Sequence, residues 1–448
     1  MKIKLKNLGV VKEAEIDLCK KLSLFCGPNS TGKTYVAYVI YGLTKLLMVG
    51  VPLFKLQELL EKKELNIELD YTKLFNLQKE YLRYINDNIS TEFASKPDFF
   101  TSFKLQLITS LEEFQVDLKK SEVLFDYEIA TISIRLSKDI NSDLIKVTLQ
   151  KPVTLTNAST ATETYILAII SKYLINKTLL DSFILPVERN SVYTFSKELS
   201  LKRLKKSDDN QNIEEATEIQ ERITRYPHAI RDALTVAEDL ANIIKKETKY
   251  KFLADDIEHD ILHGKILVSE QGELQFSSAS DSSIILPVHL SASLIKTLSG
   301  LIIYLRHQAT SNDLIIIDEP ELNLHPDNQI LLTRIFAKLV NNGFRLLIST
   351  HSDYIIRELN NLIMLSSEKP EIKALLEQFG YQADHKLDPK NVGAYLFNFN
   401  SDNNTKVVVE NLPVLENGFE IKTIDEAINK LNDVSEELFY ALKSPDNE

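Results

Sequence analysis

Cysteine is nearly absent: Cys19 and Cys26 are the two in 448 residues, too few for a disulfide framework and without the Cys/His spacing of a metal site. Both lie in apolar, strand-like stretches, so they are expected as small core residues in a reducing cytoplasm. Basic charge is short as well. With 52 Lys and Arg against 64 Asp and Glu, the formal net charge is −12, which excludes a protein that coats nucleic acid with its whole surface but leaves room for a local basic groove. Nothing at the start reads as a signal peptide, because Met1 to Lys6 alternates charged and apolar residues as a strand does. The longest apolar run, Tyr35 to Phe54, is interrupted by Lys45 and reads as a buried helix, so no membrane partner is expected. No period of roughly twenty to fifty residues repeats, which argues against a solenoid, and no heptad is sustained long enough for an extended coiled-coil arm.

Glycine is scarce too, at 12 residues, and that makes the placement of two of them informative. Gly27-Pro28-Asn29-Ser30-Thr31-Gly32-Lys33-Thr34 fits the phosphate loop G-x-x-x-x-G-K-[ST] at every fixed position. Backbone must wrap a triphosphate closely, so side chains are absent at Gly27 and Gly32 and the intervening N–H groups can turn inward. Lys33 supplies a point charge for the β- and γ-phosphates, and Thr34 offers its hydroxyl to Mg²⁺. The helix that begins there adds the positive end of its dipole. Leu22 to Cys26 reads as the buried strand entering the loop, and Tyr35 to Met48 as the helix leaving it.

Residues 1 to 27 read as a β-meander whose first turn is Asn7-Leu8-Gly9. Residues 52 to 95 read as charged and helical, Val123–Ile129 and Ile132–Leu136 as antiparallel strands, Thr162 to Leu180 as a helix, and Phe183 to Val187 as a strand ending at Glu188-Arg189. Arg189 is a candidate phosphate contact, with a structural partner in the insertion the commoner explanation. From Ser196 to Tyr250 the chain reads as charged helix, with a basic cluster Lys202-Arg203-Leu204-Lys205-Lys206 and a polar linker Ser207 to Asn212. The cluster is a solvated helix face or a phosphate contact. The last third alternates fully apolar strands with helices: Leu314–Ile317, a helix from Asp327 to Asn342, Phe344–Ile348, and a strand Leu362–Leu365. That pattern implies a parallel sheet covered on both faces, with ligands at the carboxyl ends of its strands.

Asp318-Glu319 stands at one such end. Alone, an acidic pair after an apolar strand is a weak signal; Pro320-Glu321-Leu322-Asn323-Leu324-His325-Pro326, followed one strand later by Ser349-Thr350-His351-Ser352, strengthens it. Asp318 is placed to hold Mg²⁺, Glu319 to activate the attacking water, and His351 to contact a γ-phosphate.

These residues resemble the ABC-class ATPases of the SMC, RecF and OLD (overcoming lysogenization defect) group, over about residues 1 to 50 and 280 to 400. The resemblance implies an α/β head with a mostly parallel sheet, an N-terminal antiparallel meander and a large mixed insertion. Its expected units are 1–50 and 281–400 for the head, 51–280 for the insertion, and 401–448 for a strand and helix tail packed on the head. By the same resemblance Lys33 and Thr34 bind phosphate and Mg²⁺, Asp318 binds Mg²⁺, Glu319 is the catalytic base and His351 is the switch histidine. The Asn323-Leu324-His325 region would cross a dimer interface. A signature helix should also touch the γ-phosphate bound on another protomer, and Leu290-Ser291-Ala292-Ser293-Leu294 is the candidate. Either Ser291 or Ser293 takes the signature serine. In the second register Leu294 stands where glycine is usual, and losing one oriented donor slows transfer by on the order of a hundred- to a thousandfold. Ser291 also reads as a plain helix cap.

No aromatic residue occurs among the first twenty positions, where this family often stacks adenine; ATP is the family expectation. The tail after His351 lacks the Glu…Asp-x-Asp pattern of a Toprim nuclease. The expected function is therefore a cytoplasmic, slowly turning ATPase that dimerises through nucleotide and controls a separate effector, a nuclease. It resembles the ATPase subunits of anti-phage systems such as PARIS and Septu. A RecF- or SMC-like DNA repair or chromosome ATPase and a nucleotide-locked, non-hydrolysing scaffold are the alternatives.

Overall fold

The computed structural model describes residues 1–46, 51–129, 132–151, 160–176, 181–195, 225–281, 283–399 and 405–443. The basic cluster at Lys202–Lys206 and the linker after it lie outside these residues. The fold is α/β, built on a nine-stranded sheet. From edge to edge it runs β5 (Lys104–Leu107), β1 (Lys2–Leu8), β2 (Val11–Asp17), β16 (Val407–Leu412), β15 (Val392–Phe399), β3 (Leu22–Cys26), β14 (Arg345–Thr350), β13 (Leu314–Asp318) and β9 (Ser182–Leu185). The five strands from β15 to β9 are mutually parallel. β1 pairs antiparallel with β2 through a turn at Gly9, but β3 does not continue the meander. It leaves the hairpin and is flanked by β14 and β15, both parallel to it, where its five residues are buried. A strand buried at every position, Ser23 included, needs cover on both faces, which a hairpin cannot supply.

The helices are α1 (Lys33–Lys45), α2 (Leu56–Lys62), α3 (Tyr71–Glu92), α4 (Leu111–Lys120), α5 (Thr160–Asn176), α6 (His228–Glu238), α7 (Leu240–Ile243), α8 (Lys251–Ile257), α9 (Ser293–His307), α10 (Pro326–Asn341), α11 (Asp353–Met364), α12 (Pro370–Gln378) and α13 (Lys422–Lys443). Successive strand residues feed opposite cores. Ile316 and Leu347 join α1, α3 and α5 on one face, while Ile315, Ile317, Leu346 and Ile348 join α9, α10 and α11 on the other. Each such side chain contributes roughly 1.5–3 kcal/mol on burial. Two smaller antiparallel sheets stand beside the main one: β4 (Glu64–Glu68), β8 (Leu144–Leu149), β7 (Ile132–Lys138) and β6 (Val123–Ile129); and β10 (Gly264–Val268), β11 (Leu274–Ser278) and β12 (Ile285–Pro287).

Several expectations are corrected. Residues 52 to 95 include a strand, β4, between two helices. The apolar run Leu362–Leu365 is the end of α11 rather than a strand; Leu359, Leu362 and Ile363 are buried at helical spacing behind a Ser352 cap, and a short apolar run does not by itself distinguish the two. Cys26 is buried, but Cys19 is exposed, its sulfur accepting from the amino terminus at 2.7 Å. The tail adds β16 to the sheet, yet every described side chain from 429 to 443 in α13 is exposed, so that part of the helix is not packed on the head as expected. β5 and β9, both from within 51–280, are the two edge strands of the main sheet. Among the described residues no helix is long and apolar enough to cross a membrane.

At the first residue of α6, His228 Nδ1 lies 2.9 Å from Glu92 at the end of α3, and its Nε2 lies 3.3 Å from Asp232. The bond to Glu92 raises the His228 pKa above its ordinary 6.5. The stabilisation is therefore full below about pH 6.5 and is lost as pH rises through the higher folded value. Denaturant unfolding of wild type should show stability falling as pH is raised above about 6.5, and His228→Gln should flatten that component of the profile.

Candidate nucleotide site

β3 ends at Cys26 and the chain then turns through Gly27 at φ 131°, Ser30 at φ 62° and Gly32 at φ 85°. A Cβ on Gly27 would stand 2.1 Å from the Phe397 carbonyl oxygen of β15, so the turn and the strand packing demand glycine together. Pro28, Asn29 and Ser30 are exposed, while Thr31 is buried and donates its hydroxyl to the Pro28 carbonyl at 2.8 Å. Lys33 is buried and donates to the carbonyls of Gly27 at 2.9 Å and Pro28 at 2.8 Å. Burial lowers its pKa, opposed by Asp318 and Glu319 nearby.

The parallel register sets Asp318 opposite Ser349, and Thr350 opposite Cys26, so the carboxyl ends of β13, β14 and β3 are level. Asp318 accepts from the Thr34 hydroxyl at 2.7 Å and from the Ser349 hydroxyl. Its carboxylate is buried and burial raises its pKa. A buried carboxylate whose side-chain donors are neutral hydroxyls is a place that a cation fits, and Thr34 and Asp318 would hold Mg²⁺ between them. Glu319, half-buried at φ 49°, follows in a left-handed turn closed by its own N–H to the Ser349 carbonyl at 2.9 Å.

Glu321 was quoted only as part of a motif, and the structure gives it a task. Its Oε1 accepts from the Thr350 hydroxyl and the His351 N–H, each at 2.8 Å, and lies 3.2 Å from His351 Nδ1. His351 is thereby held beside the acidic strand end with its ring partly open to solvent. Ser352 caps α11 and donates to Gln329 of α10 at 2.5 Å.

Arg189 resolves toward the structural option. It is 1% exposed and donates to the carbonyl oxygens of Asp318 at 2.7 Å, Glu319 at 2.6 Å and Pro186 at 3.0 Å. Burial brings its pKa down to about 10. A planar fork fits two successive carbonyls as an ammonium cannot, so Arg189 fixes the backbone carrying both acidic residues. A buried basic residue just after a strand parallel to β13 was the available signal. Arg357 pairs with Asp353 within α11.

The signature candidate is the part the sequence described least well. α9 begins at Ser293, its cap Ala292 offers no side-chain bond, and Ser291 instead donates to the Val288 carbonyl at 2.6 Å, so Ser291 is no helix cap. Ser293 is exposed in the first turn and Leu294 is partly buried. Neither serine contacts the phosphate loop's own residues within the bonds described for this chain.

A phosphate loop joined through a hydroxyl to the acidic end of β13, one strand removed from β3, defines a P-loop nucleotide-binding protein. More particularly, residues 1–356 match the AAA ATPase domain family, and the chain belongs to it. No curated protein matches the chain. Solved structures similar to it include an SMC head bound to the C-winged helix domain of ScpA (10% identity, 92% of this chain and 97% of that one, TM-score 0.36). Others are the SMC head domain from Thermotoga maritima (9%, 92% and 98%, 0.31) and an Smc head with an extended coiled coil bound to the C-terminal domain of ScpA from Pyrococcus furiosus (10%, 97% and 98%, 0.32). Likenesses this slight bear no weight in assigning the site.

Replacing Arg189 by Met should leave buried carbonyls at Pro186, Asp318 and Glu319 without their donor and lower stability by about 3 kcal/mol in denaturant titration. Arg189→Lys should recover only part of that stability, since one ammonium cannot hold both carbonyls in place.

Proposed function

We propose that this chain is a Mg²⁺-dependent, ABC-type ATPase of the SMC/RecF-like kind that hydrolyses ATP slowly and dimerises through bound nucleotide. The observation that carries the reading is the Thr34–Asp318 hydrogen bond, which brings the phosphate loop and the acidic strand end to one point although 284 positions separate them. The loop N–H groups, Lys33 and the start of α1 would bind the phosphates. Mg²⁺, when bound, supplies positive charge to a phosphoryl group in transfer. Glu319 would orient and deprotonate water, and His351, held by Glu321, would contact the terminal phosphate. The exposed, uncapped start of α9, with Ser293, is available to a nucleotide on a second copy. Leu294 in the following position keeps that helix end farther away and supports slow turnover.

The resemblance of these motifs supports a further part of the proposal: the ATPase cycle controls a separate effector, a nuclease, in defence against phage, in the cytoplasm. Steady-state phosphate release by wild type should be measurable, and should be abolished in Lys33→Ala. Glu319→Gln should retain ATP and bring two heads together when ATP and Mg²⁺ are present, read as a nucleotide-dependent cross-link between Ser293→Cys of one copy and Ser30→Cys of another. Release that is as fast in Glu319→Gln as in wild type would remove Glu319 from its role. Bound nucleotide without any phosphate release in wild type would leave a locked scaffold in place of a cycling enzyme.

A further inference from the structure

The helix α13 carries an apolar seam that none of the described residues covers. Leu431, Val434, Leu438 and Leu442 are 68%, 46%, 61% and 87% exposed. Leu431, Val434 and Leu438 are spaced three and four apart, the period at which one helix presents a continuous stripe to another. The helix is 22 residues long, about 33 Å, and a helix of that length with its apolar stripe in water gains little stability alone.

The charges flanking the stripe indicate what covers it. Lys430 and Glu437 stand one heptad apart on the same edge of the seam. If two copies of α13 lie antiparallel with Leu431 of one against Val434 of the other, that single offset sets Lys430 against Glu437 and Glu437 against Lys430. It also overlays the two helices from Lys422 to Lys443 along their full length. A parallel pair at zero offset sets Lys430 against Ser435 and Glu437 against Leu442 and forms no ion pair. We propose that α13 is a homodimerisation helix that pairs antiparallel with the α13 of a second copy through Leu431, Val434 and Leu438, with Lys430–Glu437 contacts on both sides of a two-fold axis. This contact lies outside the nucleotide site and does not require ATP. It therefore stands or falls independently of the ATPase reading.

The mass of the full chain in solution without nucleotide, measured by light scattering across micromolar concentrations, tests it. Wild type and Lys33→Ala should both be dimers. Leu431→Lys with Leu438→Lys should be monomeric while keeping the thermal midpoint of the head within a few degrees. Lys430→Glu and Glu437→Lys should each raise the dimer dissociation constant by roughly tenfold, because each replaces two attractive contacts by two repulsive ones. The double swap should return it to within about threefold of wild type. A monomer in the absence of nucleotide overturns the proposal, as does a dimer unaffected by the leucine substitutions. A double swap no better than the single ones also overturns it, because it assigns the helix to a different partner or to another segment of this chain.

Discussion

The carboxylate of Asp318 ties the site together. It sits at the end of β13, accepts from a hydroxyl at the first turn of α1, and accepts from another at the end of β14. Three elements far apart in sequence are thus brought level by one buried anion whose ionised form is disfavoured by burial. Its two hydroxyl donors are neutral and leave its charge unbalanced. Lys33 and Arg189 stand close enough to offset part of that charge.

Around that point the residues act in tiers. Arg189 holds the backbone on which Asp318 and Glu319 ride, and Glu321 holds His351 through both its main chain and its ring. Neither residue needs to touch substrate to matter. The chain reaches the left-handed turn at Glu319 directly after the strand, and a turn of that kind persists only where its carbonyls and N–H are held from outside.

Much of this was legible beforehand because the local chemistry is restrictive. Glycine at 27 and 32, lysine at 33 and a hydroxyl at 34 have few other uses in that order, and the apolar run closing on two acids takes its meaning from the Pro320–Pro326 and Ser349–Ser352 stretches beyond it. The apolar strands announced the parallel sheet. What stayed hidden was set by distance along the chain. Nothing local in Leu22–Cys26 tells that its neighbours are β14 and β15 rather than the hairpin before it. The apolar run at Leu362–Leu365 reads alike as strand or helix until the Ser352 cap and the buried row behind it are seen. The partner of Arg189 could not be read either, because it is backbone at Asp318 and Glu319, and carbonyl groups leave no mark in a sequence.

The position of β3 also governs when the molecule can be made. Its neighbour β15 pairs with it across about 370 positions, as in the contact of Cys26 with Tyr395. At a synthesis rate of roughly 5–20 residues per second, the phosphate loop waits on the order of twenty seconds or more on the ribosome before the strand that buries its base emerges. During that interval an apolar strand has an open edge, the condition under which nascent chains pair wrongly or recruit chaperones. The nucleotide-binding turn is translated long before the strand that completes it.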